Sequence, residues 1–319
     1  MMDHGAVVPV LEQFGYTARQ ATFLALVARH GGYFLRRQYV AFTGHGHGLA
    51  TVRFLRHLVD RNHARPVSTP GGAAFHLFAR PLYAALGEEH NRNRRQAEWD
   101  AVSRKLLALD FVLDHREHTF YATEREKAAH LTALRIGRDL WPSRSYAARR
   151  RGGSPTTRFF VDKMPWYRTT RDPQLWLAYV DTEQTLSGFE TFLLQYRPLL
   201  SVLSSGVTYV SGAADSRGVT ALFTRVLAKR TVFAPTVRDL VFYFRVRRDI
   251  ETGRSAYAPR DELQRFEGLS SHFGVAFEDL YASWPTLPDD ETLASALRRG
   301  RPAPCPLRIQ RMDHSQTTM

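Results

Sequence analysis

Between Thr17 and Phe78 stretches of helical spacing are cut by glycine at Gly31-Gly32, again from Gly44 to Gly48, and last at Pro70-Gly71-Gly72, an order that few folds accommodate. Thr17 followed three residues later by Gln20 is a capping-box pair, so a helix is expected to begin there, and Ala21, Leu24, Val27 and Ala28 continue it at spacings of three and four. The segment FLRRQYVAFTG from Phe34 places Leu35, Tyr39 and Phe42 at near-helical spacing, which predicts a short second helix before the glycine turn. From Leu49 to Arg61 the period is helical again. Val52, Leu55, Leu58 and Val59 are expected on the inner side, Ala50, Arg53 and His57 opposite them, and Arg56 and Arg61 flanking. Strands are then expected at Arg65 to Ser68 and Ala74 to Phe78 around the Pro70-Gly71-Gly72 turn.

Three helices, the third basic, followed at once by a hairpin predict a winged helix-turn-helix within residues 1–90. The major groove admits one helix, arginine bonds two acceptors on guanine, and a small residue such as Ala50 lets the backbone approach. Arg36, Arg37, Gln38 and Arg65 are then candidates for phosphate contacts that orient without reading sequence. Two other readings of the pattern stay open: an ordinary three-helix packing unit with a solvated arginine face, and a winged helix that serves as a protein–protein adaptor.

Charge supports the first reading. The net charge is +13, and residues 1–151 hold 23 Lys+Arg against 13 Asp+Glu while residues 152–319 hold 21 against 18, so a polyanion site is expected in the first half. Forty of the 44 basic residues are arginine, which suits bidentate contacts to phosphate and guanine and is equally what a GC-rich genome produces. The apolar content of 44% suits folded domains, and 319 residues suffice for two or three of them. A single cysteine, Cys305, excludes an internal disulfide and a Cys-rich zinc site. The opening MMDHGAVVPVLEQFG lacks the layout of a signal peptide and no 18 apolar residues run together, so a soluble cytoplasmic protein with no membrane partner is expected.

In residues 91–141, Trp99, Val102, Leu106 and Leu109 form a helical stripe expected in the core. LDFVLD reads as a strand, HREH as a tight connection and TFYAT as its partner, and Thr123 with Glu126 caps another helix. Helix, hairpin, helix predicts a second winged-helix-like unit, which either extends a DNA footprint through Arg92, Arg94, Arg95 and Arg104 or mediates dimerisation. The histidines of His45 and His47, and of His115 and His118, lack further ligands at a recognisable spacing, so no metal is assigned. Residues 142–157, rich in Pro, Ser, Gly and Arg, read as a basic linker. In residues 158–299, RFFVDK, LWLAYVD and VTYVSG read as strands and LSGFETFLLQYRPLL, Arg217–Lys229 and Thr236–Arg248 as helices, which predicts an α/β domain and makes the chain α+β and multidomain. Residues 300–319 read as a mobile tail.

Asp162 and Asp181 end apolar runs and Glu183 follows, so a Mg²⁺-dependent nuclease is the enzymatic alternative, although the stretch Asp181-Thr182-Glu183-Gln184 lacks the lysine that such sites place two residues after the second acid. No Gly-rich phosphate loop is present, and no cofactor is expected. The order LEQFGYTARQATFLALVARHGGYFLRRQYVAF, LLALDFVL, YATEREK, FFVDK and LAYVD, across residues 11–230, resembles the replication-relaxation type proteins of plasmids and integrative elements. The resemblance implies an amino-terminal winged helix, a degenerate restriction-endonuclease-like α/β domain and a role in handling or regulating mobile-element DNA. Double-stranded DNA is the expected partner, with a second copy of the chain or other mobile-element proteins as further candidates.

Overall fold

The computed structural model describes residues 9–312 except 45, 47, 71, 135, 148–155, 171–173, 184, 213–216, 229–236, 255–274 and 285–304. The centre of the expected linker, with Arg149 to Arg151, and residues 300–304 and 313–319 of the expected tail lie outside the described residues, as do His45 and His47.

The amino-terminal unit runs α1 (Ala18–His30), β1 (Tyr33–Leu35), α2 (Arg36–Thr43), α3 (Leu49–Asp60), β2 (Ala64–Thr69) and β3 (Gly72–Leu77). Both halves of the Thr17–Gln20 capping box form, which starts α1 where the local chemistry demands. The strands make an antiparallel sheet in the order β1-β3-β2, with Tyr33 opposite His76 and Thr69 opposite Gly72. The hairpin was legible in the sequence; the short strand β1, only three residues before α2, was not. Phe23 organises the core, its ring 5.1 Å from those of Phe34 and Tyr39. Gly32 is required at the corner, because its φ is +77° and a Cβ there would meet the Asn93 carbonyl oxygen at 2.6 Å.

A short α4 (Arg80–Ala85) leads to α5 (Trp99–Asp114), which corrects the reading of the middle segment. LDFVLD forms the last turns of α5 and not a strand. The run is rich in apolar residues because the helix is buried on two sides: Leu109 and Leu113 join the core of the amino-terminal unit, whereas Leu107, Ala108 and Phe111 join that of the carboxy-terminal unit. Trp99, expected inside, is 41% exposed at the start of α5. TFYAT yields β4 (Thr119–Tyr121), and its partner is β7 (Trp166–Arg168), so no second helix-hairpin-helix unit forms. The Thr123–Glu126 box does cap α6 (Glu124–Ala133).

Part of the expected linker forms β5 (Ser143–Tyr146), which pairs antiparallel with β6 (Thr156–Phe159). RFFVDK therefore supplies the end of a hairpin and a turn, with Phe160 and Lys163 at positive φ. The main sheet has the order β10 (Leu307–Arg311), β9 (Ser205–Ser211), β8 (Leu175–Asp181), β7 and β4. β8 (Leu175–Asp181) and β9 (Ser205–Ser211) run parallel, joined by α7 (Leu186–Val202), and every residue of both strands is buried, as expected for parallel strands covered on both faces. Trp176 lies against Gly206, where a Cβ would meet its ring at 2.5 Å. The helices α8 (Val219–Ala228), α9 (Val237–Glu251) and α10 (Val275–Ser283) follow, and β10 (Leu307–Arg311) pairs parallel with β9, so part of the expected mobile tail is a sheet strand. The chain is thus mixed α and β, and among the described residues no helix is long and apolar enough to cross a membrane.

Two ion pairs tie the units together across long stretches of sequence. Arg37 grips both oxygens of Asp110 on α5 at 2.7 Å, and Arg29 bonds Glu126 on α6.

Candidate nucleic-acid interface

α3 starts at Leu49 with Gly48 as its N-cap, after a left-handed cap at Gly44 closes α2. Its buried residues are Thr51, Phe54, Leu55 and Leu58. This rotates the helix relative to the expectation from Val52 and Val59, which are 36% and 38% exposed. The cause is aromatic: Phe54 stacks on Tyr39 at 4.1 Å and meets Tyr16 edge-on, and Thr51 turns inward to donate from Oγ1 to the Gly46 carbonyl. At 3.6 residues per turn the row opposite this core is Leu49, Arg53, Arg56 and Asp60, all exposed. Arg53 and Arg56 make no hydrogen bond or ion pair among the described residues. Leu49, 73% exposed, starts the row and was not singled out from the sequence because an apolar residue at a helix start reads as core.

The flanks differ from the row. Ala50 and Arg61 are exposed, as expected. His57 is half-buried, its Nε2 3.4 Å from the Phe14 carbonyl oxygen and its ring edge-on to Tyr16, so it is engaged by the segment preceding α1. Below it Tyr16 and His63 share a 2.5 Å hydrogen bond, and burial, with the nearby charge of Arg61, holds the His63 imidazole below its ordinary range.

The phosphate-contact candidates divide. Arg65 is exposed on β2, donating to Gln96 at 2.9 Å with its guanidinium 5.4 Å above Phe78, and Arg95 is exposed nearby. Arg36 is half-buried. Arg37 is held by Asp110, and Gln38 is fully buried, where it donates to the Leu106 carbonyl and Asp110 and accepts from the Leu35 amide. Arg94 donates to the carbonyls of Phe78 and Glu89. These last three side chains are committed to the fold. His76, directly across the hairpin from Arg65 and on the same face, is buried where it stacks on Tyr33 at 4.2 Å, and burial pushes its imidazole down to about 4. Two cations that the sequence did not flag close the carboxyl end of α2: Arg19 donates to the Thr43 carbonyl and Arg116 to that of Phe42, each at 3.1 Å. Their separation from that end, 24 and 74 residues, leaves no local signal.

The candidate nuclease acids do not assemble. Asp181 is buried at the end of β8, accepting from the Tyr209 hydroxyl and the Glu183 amide. Glu183 pairs with Arg104 at 3.1 Å, and Asp162 sits in the turn after β6, where it accepts from the Met164 amide. Among the described residues no group of three His, Cys, Asp or Glu side chains is placed to hold a metal ion. Comparisons of the chain with protein-family models, with curated proteins and with solved structures found no match.

Proposed function

We propose that residues 17–78 form a winged helix that binds double-stranded DNA, with α3 as the recognition helix, β2–β3 as the wing, and a role as regulator or accessory factor in replication or transfer of a mobile element. The observation that carries this reading is the outward row of α3. Arg53 and Arg56 stand exposed and without partners among the described residues, above a helix anchored by Phe54 and Leu58 and followed at once by a hairpin that carries Arg65 on its outer surface. In a groove each guanidinium is able to bond guanine or phosphate, and Leu49 is able to meet a thymine methyl group. Exposed Arg61 at the end of α3, Arg65 on the hairpin and Arg95 are assigned the sequence-independent contacts.

The carboxy-terminal unit, a mixed sheet with helices, is read as a nuclease-like scaffold without cleavage chemistry, since Asp181 and Glu183 are occupied by Tyr209 and Arg104. Incubating supercoiled plasmid with the protein and Mg²⁺ is expected to give no nicking. A protein–protein adaptor is the second reading, favoured by the exposed Leu49, Val52 and Val59 on the same helix. Titrating a labelled duplex at several salt concentrations separates the two: phosphate neutralisation makes affinity fall steeply with salt, whereas an adaptor gives little binding and a flat response.

A further inference from the structure

A cleft of about 390 Å³ lies between the two units, away from α3. Its walls are the end of α1 with Arg29, the segment from Gly87 to Asn93, the start of α6 with Arg125 and Lys127, and the turn from Arg158 to Lys163. Six of its lining side chains are cationic and three are carboxylates: Glu88, whose carboxyl burial pushes up, Glu89, engaged by Arg80 and His90, and exposed Glu124, which stands near Lys127 and Lys163, so the cations outnumber their counter-ions two to one.

The floor lysines have carboxylates in their neighbourhood, Asp162, Glu126 and Glu124 around Lys127, but few hydrogen-bond acceptors. Lys127 is 1% exposed, yet its ammonium donates to one acceptor, the Met164 carbonyl oxygen at 2.6 Å, and otherwise faces the rings of Trp166 and Phe160. Lys163 spends one N–H on Asn93 Oδ1 at 2.7 Å. Arg158 leans over the Tyr146 ring at 4.9 Å and has no ion-pair partner among the described residues. An ammonium removed from water with a single hydrogen bond is costly, and an anion with several acceptor oxygens relieves that cost. Phe159, half-buried and edge-on to Trp141, adds a flat apolar wall. The volume falls within the range of small-molecule sites and exceeds what a bare oxyanion fills.

The geometry points to this cleft as a binding site for a small phosphate monoester carrying a flat ring, of mononucleotide size. Its phosphate lies among Lys163, Arg158 and Arg125, and its ring packs on Phe159. The site stands independently of DNA binding by α3, since no α3 residue lines it.

Isothermal titration of the full chain with adenosine 5′-monophosphate, inorganic phosphate and adenosine tests the assignment. Saturable binding of the monophosphate is expected, with phosphate and adenosine each at least about tenfold weaker. Arg158→Ala and Lys163→Gln should each weaken the monophosphate about tenfold or more, while Lys163→Arg retains it. Excess sulfate should displace it from the unaltered protein, which supplies the same test where a variant fails to fold. No saturable binding of the monophosphate, adenosine binding as tightly as the monophosphate, or an affinity unmoved by both sulfate and the substitutions would overturn the assignment. Inorganic phosphate binding as tightly as the monophosphate would overturn the part assigned to the ring.

Discussion

Helices α2 and α3 are neighbours of similar basic character, and they use their arginines in opposite ways. α2 begins Arg36-Arg37-Gln38, and its second arginine and glutamine turn inward to a shared carboxylate, Asp110, on α5. α3 carries Arg53 and Arg56 one turn apart, and both face outward. The difference follows from what lies beneath each helix. The inner side of α3 packs on the rings of Tyr16 and Tyr39, whereas α2 packs on a helix that presents a buried carboxylate. A buried charge must be paired, so the arginine opposite Asp110 belongs to the fold. Arg53 has no carboxylate one turn away on its helix, and Arg56, four residues before Asp60, forms no ion pair with it, so both stay hydrated and available to a polyanion.

The contrast breaks most visibly at Asp110. Asp110→Ala leaves Arg37 and Gln38 without their acceptor and should cost about 4 kcal/mol of stability, read by urea unfolding; a loss below about 1 kcal/mol would place that pair among ordinary surface ion pairs. The hairpin sets exposed Arg65 directly across from buried His76 on one face, where His76 is covered by Tyr33. The folded state holds His76 down near 4 while an unfolded imidazole titrates near 6.5. The unfolded chain therefore binds the extra proton between those values, and stability is intact above about pH 6.5 and falls as pH drops towards 4, by roughly 2–3 kcal/mol from this group. His76→Gln should flatten that stretch of the pH–stability curve, and an unaltered slope would assign the acid sensitivity elsewhere.

Removing the outward pair should do the reverse of removing Asp110. Arg53→Ala with Arg56→Ala is expected to leave unfolding within about 0.5 kcal/mol of the parent and to weaken duplex binding roughly thirtyfold. Smallest of all is Leu49→Ala: duplex affinity should drop by about threefold or less, whereas a larger loss of affinity for a protein partner, with DNA binding unmoved, would favour the adaptor.

What was legible in the sequence was local. Thr17 with Gln20 and Thr123 with Glu126 announce their helices because both members of each box sit within one turn. The run Leu175–Asp181 reads as a buried strand because both faces are covered. The misreadings share a different cause, which is a partner far along the chain. LDFVLD is helical because two cores flank it, and Leu307–Arg311 is a strand because β9, about a hundred residues earlier, offers an open edge. Arg37 could not be told from Arg53 without Asp110, 73 residues away. The rotation of α3 followed from Phe54, whose attraction to Tyr16 and Tyr39 outweighed the spacing of two valines.

The most direct test of the outward row is the slope of log affinity against log salt for duplex DNA, compared among the parent chain, the Arg53→Ala/Arg56→Ala variant and Arg94→Ala. Each phosphate contact contributes about 0.9 to that slope. Loss of the outward pair should make it shallower by nearly two for two phosphate contacts, or leave it little changed with a large loss of affinity if the pair reads bases, while Arg94→Ala changes neither slope nor affinity once folded. A duplex affinity and salt slope both unmoved by removing Arg53 and Arg56 would contradict the assignment of α3 as the DNA-facing helix.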